Sequence, residues 1–145
     1  MYAVIQRVGH TVLKVDGNLI SEIQKGLVVY LGVKVGDNEE KCEAIANKLA
    51  KLRIFEDTQG KMNLSVRDIQ GEILLVSQFT LCADCSRGNR PNFSGAEKPE
   101  RAEVLYRLTA QKLRETGVPV KLGVFGADMK IEQFNDGPVS IIYEI

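Results

Sequence analysis

Gly26-Leu27-Val28-Val29-Tyr30-Leu31-Gly32-Val33 is the stretch on which the fold turns. It is almost unbroken in apolar character and opens on a glycine. That pattern predicts a strand over 27–33 buried on both faces, since a strand with one wet face would alternate. Ile73–Leu81, after Gly71, reads the same way. Around these two runs the chain predicts further strands at Tyr2–Val8 and Thr11–Val15, joined by a Gly9-His10 turn, and at Leu19–Ile23 after the Asp16-Gly17-Asn18 turn. A helix is expected from Gly36-Asp37, with Asp37 as N-cap, Glu40 completing a capping-box pattern, and Cys42, Ile45, Leu49 and Leu52 on its core face. Arg53–Glu56 reads as extended and Asp57–Gly60 as a turn. A second helix is expected from Pro99, with Ala102, Leu105, Leu108, Ala110 and Leu113 inward, stopped at Gly117. Val120–Phe125, Lys130–Phe134 and Val139–Ile145 close the chain as three strands. Strands and helices do not alternate strictly, so the expected class is α+β, a largely antiparallel sheet with two main helices.

The 145 residues are the length of one ordinary domain, expected to span 1–145. Apolar residues make up 44% and charged residues 26%, the balance of a globular protein rather than a disordered or fibrous one. Nineteen basic residues offset nineteen acidic ones, which argues against indiscriminate nucleic-acid binding but leaves room for a local basic patch. No apolar run is long enough to span a bilayer, and Met1–Val8 lacks the pattern of a signal peptide, so a cytoplasmic location and no membrane partner are expected.

Cys42, Cys82 and Cys85 are an odd number of cysteines in a chain with no sign of export. Cys82-Ala-Asp-Cys85 is a lone CxxC that runs into a loop, so it reads as two unpaired thiols rather than as a metal or redox site. His10, the single histidine, reads as a solvated turn residue. No phosphate-binding glycine loop, dinucleotide fingerprint or GxSxG elbow is present.

Two segments look unlike plain core. Ser77-Gln78-Phe79-Thr80-Leu81 puts three polar side chains at the end of an apolar strand. Asn135-Asp136-Gly137-Pro138-Val139-Ser140 lies between two strands. By composition alone the first is a strand surfacing into a loop and the second a turn.

Together with Ala3–Val8, Arg53-Ile54-Phe55, Gly60–Ser65, Gly88-Asn89-Arg90-Pro91 and Gly123–Met129, these two segments make the whole chain resemble the D-aminoacyl-tRNA deacylases. The resemblance implies a cytoplasmic homodimer with a dimeric β-rich core, using no metal or other cofactor. Such an enzyme hydrolyses the ester that joins a D-amino acid, or misattached glycine, to the 3′-terminal adenosine of tRNA; neither DNA nor membrane is implied as a partner. Carried over by position, Ser77, Gln78, Phe79 and Thr80 line the reacting centre. Gly137-Pro138 is the Gly-cisPro pair that reaches into the partner's pocket and excludes L-aminoacyl esters, Arg7 helps to hold that pair, and Phe125 and Met129 line an adenine pocket. Ser140 stands where the family usually has Thr, and Tyr2 where Arg is common. An animal branch that tolerates L-alanine has Pro in place of Ser77 and Ala in place of Phe79; the present chain sides with the D-specific branch.

Ester hydrolysis needs an attacking oxygen, a proton acceptor and donors for the developing oxyanion. Thr80 offers a hydroxyl, but neither motif supplies the histidine or lysine that would activate it. The favoured route is substrate-assisted: backbone N–H groups near Phe79 and Thr80 hold the oxyanion and the ribose 2′-hydroxyl activates water. A Thr80 acyl intermediate is the alternative. A tRNA-end binding module and a purely structural dimer are the competing classes of function.

Overall fold

The computed structural model describes residues 1–145. Eight strands and two α-helices run in the order β1 (Tyr2–Val15), β2 (Asn18–Ile23), β3 (Gly26–Gly32), α1 (Glu39–Lys51), β4 (Phe55–Glu56), β5 (Met62–Leu64), β6 (Glu72–Ser77), α2 (Pro99–Glu115), β7 (Val120–Leu122) and β8 (Lys130–Glu144). A 3-10 helix, Phe79–Cys82, follows β6. The class is α+β as expected, but the sheet is more mixed than the sequence implied. β1 pairs antiparallel with β2, β3 and β8, whereas β6 lies parallel to both β3 and β7. The parallel pairs arise because α1 and α2 carry the chain across between them.

Strand β3 is buried on both faces, as its composition requires. Leu27, Val29 and Leu31 join Ile73 and Leu75 against the two helices, where Cys42, Ile45 and Leu49 of α1 meet Leu105, Tyr106 and Leu113 of α2. Val28 on the opposite face packs with Leu74, Val76, Val8, Leu13 and Ile23. The sheet curls into a near-barrel to cover that second face. β2 and β3 follow one another along one edge of β1, while β8 runs along the other.

Two expected turns are not turns. Gly9-His10 lies inside β1, which runs unbroken for 14 residues. A Cβ on Gly9 would stand 3.2 Å from the Phe134 ring, so the glycine serves close approach rather than chain reversal. His10 accordingly is not at a hairpin tip; its Nε2 lies 2.7 Å from Glu22 Oε1. Likewise 130–134 and 139–145 are one strand, β8, and Asn135–Ser140 is a bulge within it. Ser140 pairs with Gln6 and Asn135 with Val8, so four residues (136–139) stand opposite the single Arg7. Strand β6 ends at Ser77 rather than at Leu81, and β7 at Leu122 rather than at Phe125. The short β4–β5 pairing closes the expected 57–60 turn and adds Met62–Leu64, a strand not expected from the sequence.

Asp37 is not the cap of α1. That role falls to Asn38, whose Oδ1 accepts from Lys41 N at 3.1 Å. The buried Asp37 carboxylate instead accepts from the Met1 ammonium (2.8 Å), Lys34 N (2.7 Å) and Lys41 Nζ (2.9 Å). Burial works to raise its pKa, but these donors outweigh it and hold the carboxyl below its ordinary value. The stabilisation is present above the unfolded value and is lost as pH falls through the folded one. Asp37→Asn is expected to cost about 3 kcal/mol at neutral pH by leaving a buried ammonium uncompensated. Denaturant unfolding at pH 7 and pH 3 checks this: the gap to wild type should narrow in acid, and an equal gap at both pH values refutes it.

Candidate active site

The end of β6 builds one wall of a cavity. Gln78 N donates to Leu31 O at 2.8 Å, which keeps the chain on the sheet for one residue beyond the strand. Gln78 then turns (φ −146°, ψ 81°) into the 3-10 helix. Gly32 permits the turn to pack here, since a Cβ on it would lie 3.0 Å from Gln78 O and 3.1 Å from Cys82 Sγ. The first N–H groups of such a helix have no partner within it, so the backbone donors of Phe79 and Thr80 sit at a free helical start. The Gln78 side-chain amide donates to Thr80 Oγ1. Phe79 is exposed and meets Phe93 edge-to-face, with ring centroids 5.1 Å apart.

The cavity has a volume of about 660 Å³, and its lining includes Ser77, Gln78 and Phe79 from this wall and Phe125 and Met129 from the segment between β7 and β8. The structure thus brings five of the residues singled out in the sequence onto one hollow. Thr80 is exposed and is not part of the lining. Tyr106 of α2 and Phe93 also line it, and neither was found in the sequence: Tyr106 sits in a helix with a core face, and Phe93 is an aromatic in an irregular loop. Tyr106 donates to Leu75 O at 2.7 Å, and burial drives its pKa well up, so it is a neutral prop for Phe125, 5.8 Å away between centroids. Gly123 is a further support, since a Cβ there would come within 2.7 Å of Met129 Sδ. Glu97, Lys98 and Asp128 are the charged groups at the cavity.

Arg7, Gly137 and Pro138 lie apart from this lining. Arg7 is buried, and its guanidinium ties the β8 bulge to the segment after α1. Nε donates to Asp136 O at 3.0 Å, Nη1 donates to Ile54 O at 2.8 Å, and Nε lies 3.3 Å from Asp136 Oδ2. Gly137 has φ +130°, and a Cβ on it would meet Val139 N at 2.9 Å and Arg7 Nη2 at 3.2 Å. The Gly137-Pro138 peptide is cis, and both residues are exposed.

No group of three or more His, Cys, Asp or Glu side chains is placed to share a metal ion. All three cysteines are free; Cys82 is buried, and burial pushes its thiol up, while Cys85 is exposed.

The fold and this arrangement place the chain among known proteins. The family of D-Tyr-tRNA(Tyr) deacylases matches residues 4–144, and the chain belongs to that family. A D-aminoacyl-tRNA deacylase of Geotalea uraniireducens is 51% identical over 144 residues, covering 99% of this chain and 93% of the relative. One from Lactobacillus delbrueckii subsp. bulgaricus is 48% identical over 145 residues, covering both chains in full. Among solved structures, one described as c-Myc DNA Unwinding Element Binding Protein superposes with a TM-score of 0.95 at 43% identity, over 100% of this chain and 99% of that one. No helix is long and apolar enough to cross a membrane.

Proposed function

We propose that this chain is a cytoplasmic D-aminoacyl-tRNA deacylase, hydrolysing the ester between a D-amino acid or glycine and the 3′ end of tRNA. The observation that carries the reading is the meeting of Ser77, Gln78 and Phe79 with Phe125 and Met129 on one cavity. That hollow offers an apolar seat for a terminal adenine beside a polar wall for the ester. Release of D-tyrosine from D-Tyr-tRNA by the purified protein, with and without chelator, tests it. No release refutes the activity, and loss with chelator would return Cys82 and Cys85 to consideration as metal ligands.

The reacting carbonyl is proposed to sit at the start of the 3-10 helix, where the backbone N–H groups of Phe79 and Thr80 take the oxyanion. The Thr80 hydroxyl has an amide, not a base, as its side-chain partner, which favours a positioning role over nucleophilic attack. The substrate's own 2′-hydroxyl then activates the water. Thr80→Ala is expected to lose about 10²-fold in kcat, and replacing the substrate's 2′-hydroxyl by hydrogen should cost more. Trapping an aminoacyl ester on Thr80 would reverse that order.

The protein is proposed to act as an isologous homodimer in which Gly137-Pro138 of one subunit enters the cavity of the other. Supporting this, no residue of the bulge lines its own chain's cavity, and β8 exposes Phe134 (71%) and Ile142 (77%). Sedimentation at micromolar concentration should report twice the chain mass of 16.1 kDa. An active monomer would overturn it.

A further inference from the structure

A second cleft, about 360 Å³ in volume, is lined by no hydrophobic residue; its walls are Lys51, Arg53, Ser65, Arg67 and Asp68. Nine of the chain's nineteen Lys and Arg residues lie within 4 Å of a carboxylate, but Lys51, Arg53 and Arg67 are not among them. The one acid of the cleft is turned to internal use: Asp68 Oδ2 accepts from Ser65 N (2.8 Å) and Ser65 Oγ (2.7 Å). Arg53 is held in place by its own donation, Nε to Asn63 O at 2.7 Å. In a chain of zero net charge, three exposed cations gathered around a polar hollow form a local positive surface.

Its position gives that surface a partner. Arg53 precedes Ile54, whose carbonyl is held by the same Arg7 that holds Asp136 in the bulge. The cleft and Gly137-Pro138 are therefore joined through one buried guanidinium.

We propose that this cleft takes the phosphodiester backbone of the tRNA acceptor arm, and that it does so for the substrate whose aminoacylated end lies in the partner subunit's cavity. The assignment rests on the function and dimer proposed above. A bulge that enters the partner's cavity brings its neighbouring cations to the mouth of that cavity. The RNA strand leaving the terminal adenosine must pass that mouth. Lysine and arginine side chains read a phosphate backbone by charge, without regard to base.

The test is binding of an uncharged acceptor-arm RNA hairpin to the full-length protein across a salt series. Lys51→Ala/Arg67→Ala is compared with wild type and with Lys25→Ala/Lys112→Ala, which loses the same charge elsewhere on the surface. The cleft variant should bind about tenfold more weakly, with a log Kd against log salt slope shallower by about two. The control should match wild type within about twofold, since distant surface charge is screened. Wild-type binding by the cleft variant overturns the proposal. So does an equal loss of affinity in the control variant, which would make the effect one of net charge alone.

Hydrolysis separates this inference from the reading beneath it. The cleft variant's kcat/KM on D-Tyr-tRNA, divided by that on D-tyrosyl-adenosine, should fall about tenfold, because only the first substrate has a backbone to hold. A wild-type protein that cleaves neither substrate refutes the deacylase reading, while the hairpin measurement still decides the cleft.

Discussion

Gly137→Ala is expected to lower kcat/KM for D-Tyr-tRNA by about 10²-fold or more, the scale on which a misplacement of about 1 Å disables a site. At φ +130° an L side chain is strained whatever space surrounds it, and here space is also lacking. The nearest atom to the new Cβ would be the backbone nitrogen of Val139 at 2.9 Å, followed by Val139 Cγ2 at 3.0 Å. Neither is the loose end of a flexible chain, so the bulge itself must move. The same geometry sets an expectation for wild type. On the proposed reading, a backbone wall with no Cβ would approach the substrate closely and discriminate by exclusion: an L side chain would meet it, a D side chain would point away, and glycine would always fit. Matched D-Tyr-, L-Tyr- and Gly-tRNA should show the D and glycyl esters cleaved and the L ester slower by at least about 10²-fold, about 2.7 kcal/mol. Comparable rates for D and L esters refute the wall, and wild-type rates in Gly137→Ala refute its dependence on this residue.

How far the fold was legible follows from which residues answer to near neighbours. The central parts of the expected strands Leu27–Val33 and Ile73–Leu81 are readable because a strand covered on both faces must be apolar throughout. Pro99 and Gly117 marked the ends of α2 through local backbone preference alone, with Gly117 at φ +87°. Asp37 misled because its carboxylate has a better partner far along the chain, the Met1 ammonium, than the helix start beside it. Gly9 and the Asn-Asp-Gly-Pro run mislead in one way: turn-forming residues suggest chain reversals, whereas both are irregularities in the long β1–β8 pairing. Periodicity cannot separate a turn from a bulge when the strand that decides it is more than a hundred residues away.

The candidate site divides along the same line. Ser77, Gln78 and Phe79 stand out as the end of an apolar strand, whereas Phe125 and Met129 come from the family resemblance alone, and nothing local says that the end of β6 and the segment after β7 face one hollow; the parallel β6–β7 pairing brings them together. Tyr106 and Phe93 complete that hollow from a helix and a loop whose composition is ordinary. Arg7 likewise stands out only through family resemblance. Its role in the chain comes from a buried side chain reaching residues 47 and 129 positions away.

That reach makes Arg7 the second position of large expected effect. Arg7→Ala removes the donors to Ile54 O and Asp136 O and leaves the Asp136 carboxylate without its cation. Charge-assisted hydrogen bonds to buried carbonyls are worth about 1.5–3 kcal/mol, so a loss of about 2–3 kcal/mol is expected, or about 5–10 °C in Tm for a domain of this size. Activity should fall further than stability predicts, by about 10²-fold at a temperature where the variant is fully folded, because the released bulge no longer presents Gly137 in one place. Arg7→Lys separates the two contributions. A single ammonium restores charge beside Asp136 but lacks the fork that spans two carbonyls on different segments. Much of the stability should therefore return, while kcat/KM for D-Tyr-tRNA stays low and the preference for D over L esters narrows. Full recovery of both by lysine would show that Arg7 contributes charge alone. A loss of Tm with no loss of kcat/KM below the transition would make it a structural residue with no part in positioning the bulge.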